Sequence, residues 1–266
     1  MLVLGVSPVR KRLTIRAYVV ESWQAAVTNT KLKVHLLTPS KFPTAPSHLG
    51  VHVDLDATYW TDLSELPFRD GSMDSISSRS LQLLLRSSQW PAFLQECTRV
   101  LRPGGALEVS ILDPIPRNCG TLLREWTTKN VLLGLEKRYL LTHPTTMVIP
   151  LWLKDIAELE HLSSVKFTFA AATDWPLFSS SPATPTAASD QQDNDRLRTA
   201  VGRHFYRSLY KKLLAKARQG QGEVSPRERQ GITACSWWWQ ESSIVNECIE
   251  LGAAFEMITF RCRKRR

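Results

Sequence analysis

The first 114 residues alternate short apolar runs with longer mixed segments. MLVLGV at the start reads as a strand and KVHLLTP (33–39) as another. VHVDLD (51–56) is a short third, MDSISS (73–78) a weak fourth, and GALEVSILDP (105–114) a strong fifth. Between the last two lies SSQWPAFLQECTRVL. Ser87 or Ser88 suits a helix cap and Pro91 a first helical position. Phe93, Leu94, Cys97, Val100 and Leu101 then recur at helical spacing on one face. Pro103-Gly104-Gly105 stops the helix and turns the chain. Strands alternating with helices predict βαβ units, hence a parallel sheet with right-handed crossovers.

The rhythm changes after Pro114. GTLLREWTTKNVLLGLEKRYLL (120–141) predicts one or two helices and LWLKDIAELEHL (151–162) another. SSVKFTFAAAT (163–173) alternates like a strand. Residues 176–195 are rich in Ser, Pro, Thr and Ala and then acidic, with little to bury, and read as a linker. A basic amphipathic helix follows over 196–218. Its apolar row is Leu197, Val201, Phe205, Leu209 and Leu213, with Arg203, Arg207, Lys211 and Lys216 off that row. After a second loop, ESSIVNECIEL (241–251) predicts a helix, Gly252 its C-terminal stop, and AAFEMITFRCRK (253–264) a last strand.

Composition narrows the classes. The five cysteines include no CxxC pair, which argues against a disulfide framework or a zinc site and favours a reducing compartment. The opening apolar run is too short for a signal peptide, and no stretch approaches a membrane span. The expectation is a cytoplasmic protein, with the terminal RCRKRR leaving a nuclear location open. A net charge of +9 permits an anionic partner. However, packing explains the apolar row of the basic helix equally well, and a terminal basic run is usually just solvated, so nucleic acid is not the expected partner. The six histidines show no metal spacing, and no metal is expected. In SWWWQE (236–241) three successive tryptophans cannot all point inward.

Three pieces carry a family resemblance: DLSELPFRDGSMD (62–74), ECTRVLRPGGALEVSILDP (96–114) and IVNECIELGAAFEMITFRCRK (244–264). Together, in that order, they resemble class I S-adenosylmethionine-dependent methyltransferases of the small-molecule type. The implied fold is α/β, a Rossmann-like seven-stranded sheet with helical insertions after strand 5 and before the C-terminal strand. The implied division is 1–114, a cofactor-binding-like core; 115–150, a helical substrate lobe; 151–175, a core helix and strand; 176–239, linker and basic helical insertion; and 240–266, the closing helix and strand.

The resemblance also implies a site for S-adenosylmethionine beyond the carboxyl ends of the strands. Asp62 would meet the adenine amino group and Leu63 the adenine face. Ser78 and Arg79 would lie near the methionine part. The plainer reading of the same motif is a Leu66-Pro67-Phe68 corner on the sheet and an Asp70-Gly71 turn. Methyl transfer needs positioning more than acid or base, so no catalytic residue is assigned. Where the family has an acidic first-strand end and a glycine-rich loop, LVLGVSPV (2–9) keeps only Gly5, with Val3, Ser7 and Val9 at the other positions. Leu36 stands where a ribose-binding carboxylate is usual. With the first strand at the start, nothing is left ahead of it for helices that cover the cofactor. Two functions follow: a methyltransferase for a small or medium-sized organic acceptor, or a catalytically silent scaffold that binds a protein partner.

Overall fold

The computed structural model describes residues 10–15, 32–38, 55–59, 63–79, 81–142, 145–174, 187–217 and 237–266. Its strands are β1 (Arg10–Ile15), β2 (Leu32–Thr38), β3 (Leu55–Tyr59), β4 (Met73–Ser78), β5 (Leu101–Leu112), β6 (Leu159–Ala170) and β7 (Ala254–Lys264). They form one seven-stranded sheet in the order β3-β2-β1-β4-β5-β7-β6. β1 pairs in parallel with both β2 and β4, β2 with β3, and β4 with β5. β7 runs the other way: Arg261 meets Glu108 and Thr259 meets Ser110, in opposite chain order.

Several elements differ from the sequence reading. The first strand of the sheet is Arg10–Ile15, whereas residues 1–6 lie outside the described residues. Apolar content pointed to MLVLGV, but the pairing selects a segment whose first half is cationic. The third strand begins at Leu55, four residues later than the run VHVDLD. The helix expected at 151–162 is α4 (Thr145–Asp155), and Leu159 already opens β6. A turn at Ala157-Glu158, closed by Leu159 N donating to Ile156 O at 3.0 Å, separates them. Part of the expected linker is helix as well, because α5 spans Ala187–Ala217.

Pro103-Gly104-Gly105 does not end the preceding helix. That helix, α1 (Trp90–Val100), stops at Leu101, whose backbone is already extended. β5 starts there, with Leu101 beside Met73, but Ala106 beside Ser75. Two steps along β4 therefore match five along β5, and the three extra residues bulge outward. Gly104 takes φ +76°, and a Cβ on Gly105 would stand 2.9 Å from Arg102 O. Glycine is required at both positions, by conformation at one and by space at the other.

The chain divides into two units, 1–111 with 147–165 and 259–266, and 112–146 with 166–258. In the first, Trp90, Phe93, Leu94, Cys97 and Val100 of α1 are fully buried. Each large side chain contributes about 1.5–3 kcal/mol by burial, so packing rather than propensity holds this helix.

The second unit contains α2 (Thr121–Thr127), a π turn (Thr128–Leu132), α3 (Leu133–Glu136), α5 and α6 (Ser242–Glu250). Glu247 of α6 caps α2 from a distance, accepting from Leu122 N and Leu123 N at 2.9 Å each. The buried face of α5 shares only Leu213 with the expected apolar row. Leu197 is 63% exposed, while Thr199, Gly202, Tyr206, Tyr210 and Leu213 are buried. The tyrosines can enter because each hydroxyl finds a backbone acceptor, Tyr206 on Pro114 O at 2.7 Å and Tyr210 on Leu112 O at 2.8 Å. Gly202 lets the helix approach, since its Cβ would fall 2.6 Å from Phe169 Cβ and 2.9 Å from Phe255 Cδ2. Gly202→Val should therefore destabilise by about 1–3 kcal/mol through overpacking. Thermal denaturation should show a clear fall in melting temperature; an unchanged value would contradict this packing.

Candidate functional site

The strand order reverses between β1 and β4, which places a switch point at their carboxyl ends, the general ligand position of such sheets. Ser77 and Ser78 end β4 there, 3% and 2% exposed, and Arg79 follows in the open. Leu81 and Gln82 then turn back inside, also buried. After β3, Leu63 is 8% exposed and Leu66 2%. Leu63, Ser78 and Arg79 are thus described, each following or ending a parallel strand. Asp62 and Gly5 lie outside the described residues. Gly5 also precedes β1 in the chain, so it does not belong to the connection between β1 and β2.

The motif around Leu66-Pro67-Phe68 is held by one guanidinium. Arg99, on the last turn of α1, donates from Nη2 to Leu66 O at 3.0 Å and from Nη1 to Phe68 O at 2.9 Å. It pairs with Asp70 at 2.6 Å and makes a two-pronged contact with Glu96, at 2.8 Å on each oxygen. Glu96 in turn accepts from Leu66 N at 2.9 Å, and Gly71 N donates to Arg99 O at 3.0 Å. Gly71 has φ +61°, a left-handed turn that favours glycine. The next motif residue, Asp74, pairs with Arg102 at 2.7 Å. The plain corner-and-turn reading of 66–71 is what the geometry shows. The motif fixes how the chain leaves β3 and enters β4, and Leu63 hangs from the same fixed loop.

Sequence reasoning missed Glu96 and Arg99. The loop groups they hold are mostly backbone atoms 30 to 33 residues away, which side-chain spacing does not announce. The side-chain signals are their own i,i+3 pair, which is ordinary on a helix surface, and Asp70, itself 81% exposed.

Nucleophilic and metal chemistry find little here. Burial pushes the Cys248 thiol up to about 12 and Cys262 up to about 11, and raises Cys97 and Cys119 as well. None of the four is a ready thiolate near neutral pH. Among the described residues no His, Cys, Asp and Glu cluster could hold a metal, and no helix is long and apolar enough to cross a membrane. A cavity of about 490 Å³ lies at the other end of the sheet. Asp70, Gly71 and Pro103 line it, at the amino ends of β4 and β5, so it is not the switch-point crevice.

Residues 15–109, which cover the sheet from the end of β1 into β5, match the model of a methyltransferase domain. No curated protein matches. Among solved structures, a Bacillus halodurans protein with a provisional methyltransferase assignment is 12% identical, with 98% of this chain and 95% of that chain covered and a TM-score of 0.51. The [4+2]-cyclase SpnF is 13% identical, with 98% and 77% covered and a TM-score of 0.52. Haemonchus contortus phosphoethanolamine N-methyltransferase 2, solved with S-adenosyl-L-methionine, is 12% identical over 99% of this chain and 50% of its own, TM-score 0.50. This chain spans half the length of that enzyme. At such identities the likeness establishes the methyltransferase domain's fold, and the presence of a cyclase among the matches shows that the fold leaves the reaction open.

Arg99→Ala should release the Leu66–Asp70 loop at a cost of about 2 kcal/mol, a fall of about 5 °C in melting temperature. The Arg99 contact holds the Glu96 carboxyl below its ordinary value of 4.5. A depressed carboxylate stabilises the fold above that value and loses its contribution as pH falls through the folded-state pKa. The melting-temperature gap between the wild type and Glu96→Gln should therefore be widest near neutral pH and close in acid. A gap independent of pH would contradict the pairing.

Proposed function

We propose that the chain is an S-adenosylmethionine-dependent methyltransferase acting on a small or medium-sized organic acceptor. The observation that carries this reading is the switch point between β1 and β4 within a segment that matches a methyltransferase domain. Leu63 follows β3, Ser78 ends β4 and Arg79 follows it, as a cofactor held across strand ends would need. In this reading Asp62 accepts from the adenine amino group, Leu63 packs on the adenine, and Ser78 and Arg79 face the methionine end. The bound cofactor would supply an electrophilic methyl group. The chain's own task is then alignment and exclusion of water rather than acid–base work. Segments 115–150 and 196–239 carry the acceptor's identity.

One observation favours a second reading, a silent scaffold for a protein partner. With β1 ending at Ile15, the chain holds no glycine from Arg16 to Leu49 and no carboxylate from Leu32 to Val53. The close backbone approach and the ribose carboxylate of the family therefore have no counterpart in that stretch. A lost buried hydrogen-bond acceptor is worth about 1–3 kcal/mol, a factor of ten or more in affinity, so weakened binding is compatible with activity.

Calorimetry with S-adenosylmethionine and S-adenosylhomocysteine separates the two. The enzyme reading expects binding of both, weakened about tenfold or more by Asp62→Ala with little change in melting temperature. Failure of either molecule to bind at millimolar concentration would support the scaffold. Binding that Asp62→Ala leaves unchanged would remove Asp62 from the site.

A further inference from the structure

Arg203 differs from the other arginines whose ion pairs are visible. Arg99, Arg102, Arg117, Arg196 and Arg261 each face a carboxylate. Arg203 has no ion-pair partner among the described residues. Among the described residues its Nε donates to Ala171 O at 2.9 Å. Its guanidinium carbon lies 5.6 Å from the Trp238 ring centre and 5.7 Å from that of Trp239. Desolvation pushes its pKa down to about 10, and the neighbouring Cys248 thiol, itself pushed up, supplies no counter-charge. Glu247, on the same helix as Cys248, is committed to the amides of α2.

The tryptophans explain the desolvation. Trp238 is fully buried and Trp237 is 7% exposed, while Trp239 is only part-buried. Trp239 stacks on Trp237 at 4.7 Å and 5° and meets Trp238 edge-on at 5.2 Å. A cation set against such rings gains from their electron-rich faces. The rings cannot accept the in-plane N–H groups on the far edge of the fork. Those groups match two carboxylate oxygens in geometry and charge. A half-buried charge left without an anion destabilises a fold, and such features persist where function uses them.

We infer that Arg203 and the Trp237–Trp239 segment form a site for an organic carboxylate, with Arg203 holding the carboxylate and Trp239 contacting the carbon skeleton. The inference goes beyond the proposed function and does not depend on it.

The test is direct binding without cofactor, so its outcome is independent of S-adenosylmethionine affinity. Fluorine NMR of para-fluorobenzoate, with para-fluorobenzamide as the neutral probe, is read on the full chain. The wild type should broaden the acid signal and not the amide signal, and benzoate should raise its melting temperature. Arg203→Met should weaken acid binding about tenfold or more and abolish the thermal shift, while its own melting temperature stays level or rises. Arg203→Lys, which keeps the charge without the fork, should retain part of the binding. Equal binding of acid and amide, acid binding unaffected by Arg203→Met, or no acid binding at millimolar probe would overturn the site. A lower melting temperature for Arg203→Met, with no benzoate shift in the wild type, would give Arg203 a packing role instead. If the acid binds and S-adenosylmethionine does not, the carboxylate site stands and the methyltransferase reading falls.

Discussion

The first unit depends on a single guanidinium. Arg99 closes the loop between β3 and β4 by holding two of its carbonyls, and Glu96 holds one of its amides. A loop with several inward backbone groups needs partners for them, because each unpaired buried group costs about as much as a lost hydrogen bond. Supplying those partners from one turn of α1 couples the helix, the loop and the start of β4. The pair Asp74–Arg102 repeats the device one step further on, beside the bulge in β5. The motif that looks like a cofactor signature is therefore first a structural joint. Any cofactor role of its leading residues depends on that joint.

In the second unit, ring packing and backbone acceptors do the corresponding work. Tyr206 and Tyr210 satisfy carbonyls at and just after the end of β5, where Pro114 and Pro116 interrupt the supply of backbone donors. Tyr206 also packs on Phe255 at 4.9 Å and Tyr210 at 4.7 Å. Gly202 provides the room. Arg203, next in sequence, is consequently fixed beside the tryptophans rather than left in solvent.

Much of this was legible in the sequence. Strands β4, β5 and β7, the helix between β4 and β5, and the Gly252 stop all follow from apolar spacing and turn residues. β1 was not, because Arg10-Lys11-Arg12 hides a central strand behind three cations, while a more apolar run lies just ahead of it. The buried face of α5 was hidden for the converse reason. Leu197 and Val201 look like a core row, but hydrogen-bonded tyrosines and a glycine displaced them. Of the candidate site, Leu63, Ser78 and Arg79 were readable from the motif and the strand end. Arg203 was visible only as one charge among several on a basic helix, since its environment comes from tryptophans more than thirty residues away.

The central proposal is that the proposed cofactor lies at the switch point between β1 and β4, beside the residues that follow β3 and end β4. Ultraviolet cross-linking of methyl-labelled S-adenosylmethionine, followed by peptide mapping, tests it most directly. The account predicts label within residues 59–82, suppressed by excess S-adenosylhomocysteine. Label confined to other peptides, or label that S-adenosylhomocysteine does not suppress, would contradict it.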